Sequence, residues 1–119
     1  MDCPACGAAT LAFRVPEEMR SALPGDDPGV ALCRRCLTLH PETDPPAETP
    51  DFQSISDAFP SNTEAALPMA LVVGLVENLA LYRSEIEALL GRVERARADP
   101  LLVLDRLDHD PGVEPATDL

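Results

Sequence analysis

Apolar side chains recur every three or four residues over the C-terminal half of the chain, which is the periodicity of one helix face. Ser61 to Glu64 reads Ser-Asn-Thr-Glu, a capping-box pattern at a helix start. We therefore predict a helix from there to about Ala98, kinked or restarted at Pro68, because proline lacks the N–H that the helix needs. Its apolar stripe comprises Leu71, Leu75, Leu79, Tyr82, Ile86, Leu89 or Leu90, and Val93.

A second amphipathic helix is predicted after Asp99 and Pro100, which suit the N-cap and the first helical position. It ends near Asp108. We expect it to fold back on the main helix, so that residues 62–110 form a helical hairpin followed by a disordered acidic tail over 111–119.

The first part of the main helix has no polar face, because residues 65–76 contain no polar side chain. This run is too short for a membrane span and ends at Glu77 and Asn78. A buried core helix and an association surface both remain open. We expect a homodimer or a protein partner along one line of side chains: Leu71, Val72, Leu75, Val76 and Leu79.

The N-terminal part alternates apolar and polar positions, which is typical of strands. A strand is predicted from Ala9 to Val15, and Pro16 then opens a short helix. The chain returns as a strand over 30–32 and leaves as another over 37–39.

The four cysteines of the chain form two Cys-x-x-Cys pairs, Cys3/Cys6 and Cys33/Cys36. Two such turns can place four thiolates around one ion, and a tetrahedral all-thiolate set suits one structural Zn²⁺. Gly7 stands where such a turn favours a positive φ. His40 follows the second pair and could be a stray ligand, although four cysteines already complete the site.

Two disulfides or a redox-active pair are the alternatives to a metal site. Disulfides need an oxidising compartment. No signal peptide is visible before Cys3, so we expect a cytoplasmic protein. Iron in a rubredoxin-like site is a further alternative, but rubredoxins line the iron with several aromatic side chains, and this segment has only Phe13.

The net charge of −12 is concentrated in residues 41–62 and 99–119, and the chain has no lysine. Residues 41–61 form a predicted linker that is acidic and rich in proline, and we expect residues 41–50 to be extended and solvated. In residues 51–61 the spacing of Phe52, Ile55 and Phe59 indicates one or two helical turns, or an anchor strip that docks on the rest. Arg34 and Arg35 are the basic pair within the second Cys-x-x-Cys, where they offset thiolate charge. Without a wider basic patch, we expect no direct contact with nucleic acid. No catalytic set is recognisable, so we expect no enzyme.

Several stretches resemble a family of small zinc-ribbon proteins of halophilic archaea that carries no assigned function. They are residues 1–7, Val15-Pro16, Cys33-Arg34-Arg35-Cys36, residues 78–83 with Ile86, and residues 99–107. The resemblance implies a metal-binding, adaptor-like protein and supplies no activity.

The predicted fold class is a small α+β protein: a four-cysteine zinc ribbon over 1–40, a linker over 41–61 and the C-terminal α-helical hairpin. The predicted function is a non-enzymatic, zinc-binding protein-interaction or adaptor module. One alternative is an accessory factor of transcription or translation that binds protein rather than nucleic acid. The other is a rubredoxin-like electron carrier.

Overall fold

A three-stranded antiparallel sheet and three α-helices make up the computed structural model, which describes residues 3–4, 6–23, 27–76 and 79–108. The strands are β1 (Thr10–Arg14), β2 (Gly29–Cys33) and β3 (Leu39–Glu42), in that spatial order. The helices are α1 (Thr63–Leu75), α2 (Leu79–Arg95) and α3 (Pro100–Asp108). Two short 3₁₀ helices cover Glu17–Ala22 and Phe52–Ser54.

The sheet follows the predicted alternation in the N-terminal part. Phe13 lies opposite Val30 across β1 and β2, and both side chains are buried. Val30 in turn lies opposite Pro41 on β3. The last strand therefore runs past the predicted end of the ribbon at residue 40, and the first residues of the predicted linker belong to the sheet.

The predicted linker over 41–61 packs against the rest of the protein through residues 51–61, as the spacing of their apolar side chains indicates. Phe52 and Phe59 are 2% and 1% exposed and belong to the main core. Phe52 meets Phe13 of β1 edge to face, with ring centroids 4.9 Å apart. The acidic side chains of residues 43–61 are exposed, whereas the two phenylalanines of this segment lie in the main core. One hydrophobic core thus combines side chains from the sheet, this segment and the helices.

Helix α1 begins where the polar residues before it predict, although Asn62 is its N-cap and accepts a hydrogen bond from the backbone N–H of Glu64. The helix continues through Pro68 without interruption. Nearly every face of α1 is buried, which explains why its sequence is apolar on all sides. The helix lies at the centre of the core.

The predicted single helix to Ala98 is in fact two helices, α1 and α2. The Nδ2 of Asn62, at the start of α1, donates to the carbonyl of Ala96, just after α2. The two helices are therefore antiparallel neighbours, and the hairpin is formed by α1 and α2. Within α2 the backbone leaves helical values at Tyr82 (φ −116°, ψ 24°), which kinks the helix.

Most of the side chains on the expected association surface are already buried within the chain. Leu71, Val72 and Leu75 are 0%, 1% and 3% exposed, so they cannot reach a partner while α1 stays packed. Val76 is 39% exposed, and the side chain of Leu79 lies outside the description. The burial of the first three follows from the chain reversal after α1, which brings α2 onto the helix.

Helix α3 has the predicted cap, because Asp99 Oδ1 accepts hydrogen bonds from the backbone N–H groups of Leu101 and Leu102. Val103 and Leu107 face the core. The predicted tail over 111–119 lies outside the described residues. None of the described helices has the length and hydropathy that crossing a membrane requires.

Candidate metal centre

Two tight turns bring the four cysteines to one end of the sheet. Cys3 and Cys6 belong to the turn that precedes β1, and Cys33 and Cys36 belong to the turn between β2 and β3. The backbone N–H of Arg34 donates to the carbonyl of Ala9, which ties the second turn to the first. The pairing of β1 with β2 therefore sets the distance between the two Cys-x-x-Cys pairs.

All four predicted ligands converge, with their Sγ atoms within 4.8 Å of one another. Cys6 and Cys33 have sulfurs 3.3 Å apart, and Cys3 and Cys36 have sulfurs 3.7 Å apart. A tetrahedral site with metal–sulfur bonds of about 2.3 Å has sulfurs about 3.8 Å apart. The cluster has the size that one metal ion needs. The four cysteines are free thiols.

Each sulfur has a hydrogen-bonding neighbour. Cys33 Sγ accepts from the backbone N–H groups of Arg35 and Cys36, both at 3.4 Å. Thr38 Oγ1 lies 3.0 Å from Cys36 Sγ, and His40 Nε2 lies 3.4 Å from Cys3 Sγ. Cys6 Sγ accepts from the backbone N–H of Ala8. Donors of this kind stabilise thiolates and orient them as ligands.

Cys6 and Cys33, whose sulfurs are 3.3 Å apart, lie in different environments. The hydrogen bond from Ala8, together with the Cys33 thiol, lowers the pKa of exposed Cys6 from 9.0 to about 7. Burial raises the pKa of the Cys33 thiol to about 12. A bound cation overrides this second effect, because coordination deprotonates a thiol outright. Metal binding would therefore release the proton that burial holds on Cys33.

Both turns require a left-handed backbone immediately after their second cysteine. Gly7 has φ 78°, as the sequence predicts, and Leu37 has φ 61° at the equivalent position. A left-handed leucine costs about 1–2 kcal/mol. Leu37 is 9% exposed and packs in the main core. The second turn therefore keeps a strained residue whose side chain links the cysteine cluster to the core.

The histidine that the sequence treats as a stray ligand lies close to the cluster. His40 is half-buried on β3 beside Cys3, rather than being a free surface histidine, and the four clustered cysteines do not need it as a ligand. Arg34 directly follows Cys33, and its Nε is buried without a hydrogen-bond partner in the described part of the protein. Four thiolates around a divalent ion would leave a net charge of −2, which the positive charge of half-buried Arg34 would partly offset.

Thr38 is the neighbour that the sequence did not single out. The one signal in the sequence is its position two residues after Cys36, just before β3. A hydroxyl at that spacing can turn back and donate a hydrogen bond to the thiolate.

The chemistry available at this cluster is that of a closed site. Cys3, Cys33 and Cys36 are 2%, 0% and 3% exposed, and only Cys6 reaches the surface. A catalytic metal needs an open coordination position for water or substrate, and four thiolates would fill a tetrahedral ion. The arrangement therefore fits an ion that holds two turns together.

Comparison with known proteins places residues 2–119 within the model of a family described as a family of unknown function, DUF6276. No curated protein and no solved structure matches the chain.

Proposed function

We propose that this chain, which belongs to the DUF6276 family, is a non-enzymatic protein that uses one structural Zn²⁺ to hold a rigid protein-interaction module together. The observation that carries the proposal is the convergence of four thiols from the two turns, each with a hydrogen-bonding neighbour. A divalent ion there would link residues 3–6, which precede β1, to the turn that follows β2.

Zinc is favoured over a rubredoxin-like iron site by the surroundings of the sulfurs. The buried side chains that form the cysteine cluster are Cys3, Cys33 and Cys36, with Ala8 packed against them. Phe13 belongs to the main core, where its ring meets Phe52. Among the described residues the cluster therefore lacks the aromatic lining of rubredoxins. An electron carrier is the weaker candidate.

An interaction role is supported by leucines that the fold leaves outside. Leu81 on α2 and Leu101 on α3 are each 74% exposed, and Leu102 is 54% exposed. Burying such side chains against another protein stabilises a complex by about 1.5–3 kcal/mol each. The acidic charge argues for a protein surface as partner and against direct phosphate contact. An accessory role in transcription or translation is one process in which such a module would serve.

Cobalt substitution tests the metal part of the proposal. Co²⁺ bound by four thiolates should give the intense visible bands of a tetrahedral thiolate site, and an equimolar amount of Zn²⁺ should abolish them, because zinc binds such sites more tightly. Replacing Cys33 by Ser should change the spectrum at saturating Co²⁺. A featureless spectrum in the wild-type chain would contradict the proposal.

Light scattering tests the interaction part. The metal-loaded chain should associate with itself or with a purified partner, and Leu81→Glu or Leu101→Glu should weaken that association without changing metal content. Glu87→Gln, an exposed change on α2, is the matched control. Unchanged association in both leucine variants would place the contact elsewhere.

A further inference from the structure

Cys6 differs from the other three cysteines in a way that metal binding alone does not require. It is exposed, whereas Cys3, Cys33 and Cys36 are buried. Oxidants and electrophiles reach cysteines according to their exposure and thiolate character. The exposed thiol is therefore the point where such a reagent first meets the cluster.

The sulfur of Cys33 lies close enough to that of Cys6 to complete a disulfide. Cys33 Sγ lies 3.3 Å from Cys6 Sγ, closer than the 3.7 Å between Cys3 and Cys36. A disulfide bond is about 2.05 Å long, so the pair needs to close by roughly 1.3 Å. Cys6 lies in the turn that precedes β1, outside the regular pairing of the sheet, and its side chain is the one with room to move.

We propose that Cys6 is an oxidation site for peroxides and that Cys33 is its resolving partner, so that a Cys6–Cys33 disulfide empties the metal centre. This inference rests on the proposed zinc site. It makes the chain a thiol switch, in which an oxidant converts the metal-bound protein into a metal-free one.

The chemistry balances with the peroxide as the only oxidant. The Cys6 thiolate attacks one peroxide oxygen; an S–O bond forms, the O–O bond breaks, and the departing hydroxide takes a proton to become water. The Cys33 thiolate then attacks the Cys6 sulfur; the S–S bond forms, the S–O bond breaks, and a second hydroxide takes a proton to become water. Two electrons pass from the two sulfurs to the peroxide.

The direction of the second step follows from burial. A peroxide arriving from solvent leaves its oxygen on the solvent side of Cys6, and buried Cys33 approaches from the protein side. After the disulfide has formed, only Cys3 and Cys36 remain as thiolates, which is too few to keep a four-coordinate ion.

The experiment uses the full chain loaded with Zn²⁺ without oxygen, with its metal content measured first. Hydrogen peroxide is added in the presence of a coloured zinc indicator, and samples are blocked with N-ethylmaleimide over time. Trypsin cuts after Arg34 and Arg35, so Cys33 and Cys36 fall on different peptides. Fragmentation of the disulfide-linked peptides then distinguishes Cys6 from Cys3 as the partner of Cys33.

We expect the Cys6–Cys33 disulfide to appear first, with one zinc released for each disulfide formed. A first disulfide that involves Cys3 or Cys36, or zinc release without any disulfide, would overturn the inference. A chain that carries no zinc at the outset contradicts the proposed function instead. Even then, the order in which the disulfides form still decides whether Cys6 and Cys33 are the reactive pair.

Two ligand-preserving variants sharpen the result. Cys6→His keeps a zinc ligand but removes the exposed thiol, and it should slow peroxide-driven zinc release by about tenfold or more. Cys36→His makes the same change at a buried position and should leave oxidation of Cys6 fast. Equal release rates in Cys6→His and the wild-type chain would refute the role of Cys6.

Discussion

The ring of Phe52 meets the ring of Phe13 edge to face, with centroids 4.9 Å apart and planes at 80°. Phe13 stands on β1, in the part that contains the cysteine turns, and Phe52 stands in the predicted linker over 41–61. The contact packs this segment against the sheet. The sheet that carries the cysteine turns and the helices therefore share one core, and the loss of either should destabilise both.

Truncation of Phe52 tests this shared core. Phe52→Ala removes a ring that is 2% exposed and should lower the free energy of unfolding by about 3–5 kcal/mol. Chemical denaturation followed by circular dichroism and by metal release should give one coincident transition. Leu101→Ala, at a side chain that is 74% exposed, is the control and should stay within about 0.5 kcal/mol of the wild type. Two separate transitions in the wild-type chain would show that the segments fold independently.

Removing the metal should also destabilise the helices. A structural zinc site contributes on the order of 10 kcal/mol, which is comparable to the whole stability of a small domain. Adding a strong chelator, or replacing Cys33 by Ser, should therefore reduce the helical circular-dichroism signal as well as the strand signal. Adding zinc back should restore the chelated wild-type chain and leave Cys33→Ser unchanged. Full retention of helix after chelation would mean that α1, α2 and α3 stand without the cysteine turns.

Substitutions at Val72 and Val76 distinguish a loss of stability from a loss of association. Val72 is 1% exposed, so Val72→Glu places an unpaired charge in the core and should unfold the chain or cost several kcal/mol of stability. Val76 is 39% exposed and follows the end of α1, so Val76→Glu should leave the fold intact. If a dimer uses this end of α1, light scattering should show weaker association for Val76→Glu alone. A folded Val72→Glu monomer would contradict the burial of α1.

The hydroxyl of Thr38 should strengthen metal binding, because it lies 3.0 Å from Cys36 Sγ and can donate to a thiolate. Thr38→Val keeps the shape of the side chain and removes the donor. We expect metal affinity to fall by about 10–100-fold, measured by competition with a chelator of known affinity. Thr43→Val, at an exposed threonine just after β3, should leave affinity unchanged. An unaltered metal affinity in Thr38→Val would show that the hydroxyl does not contribute to metal binding.

Local signals in the sequence predicted the metal turns and most element starts. Cysteine spacing anticipated which four thiols converge, and Gly7 marked a left-handed position. Asp99 and Pro100 located the start of α3, because capping depends on neighbours in the chain. Each of these features depends on residues that are close together in the chain, so a sequence pattern can predict it.

Features that depend on contacts between distant residues could not be predicted in this way. The apolar spacing continues from Leu75 to Tyr82 across the break between α1 and α2, so periodicity alone could not show that the chain reverses there. The spacing of Phe52 and Phe59 indicates that they dock, but their near-complete burial depends on distant parts of the chain that pack around them. Likewise, the contact of His40 with Cys3 arises only when β3 pairs with β2.

The mass of the native protein tests the central claim most directly. The chain purified in a medium that contains both zinc and iron, and sprayed from a non-denaturing solution, should exceed the mass of the free-thiol form by one zinc less two protons. Alkylation under denaturing, metal-free conditions should then find Cys3, Cys6, Cys33 and Cys36 all reactive. A metal-free mass four hydrogens lighter than the thiol form, with no cysteine open to alkylation, would mean two disulfides and would contradict the metal centre.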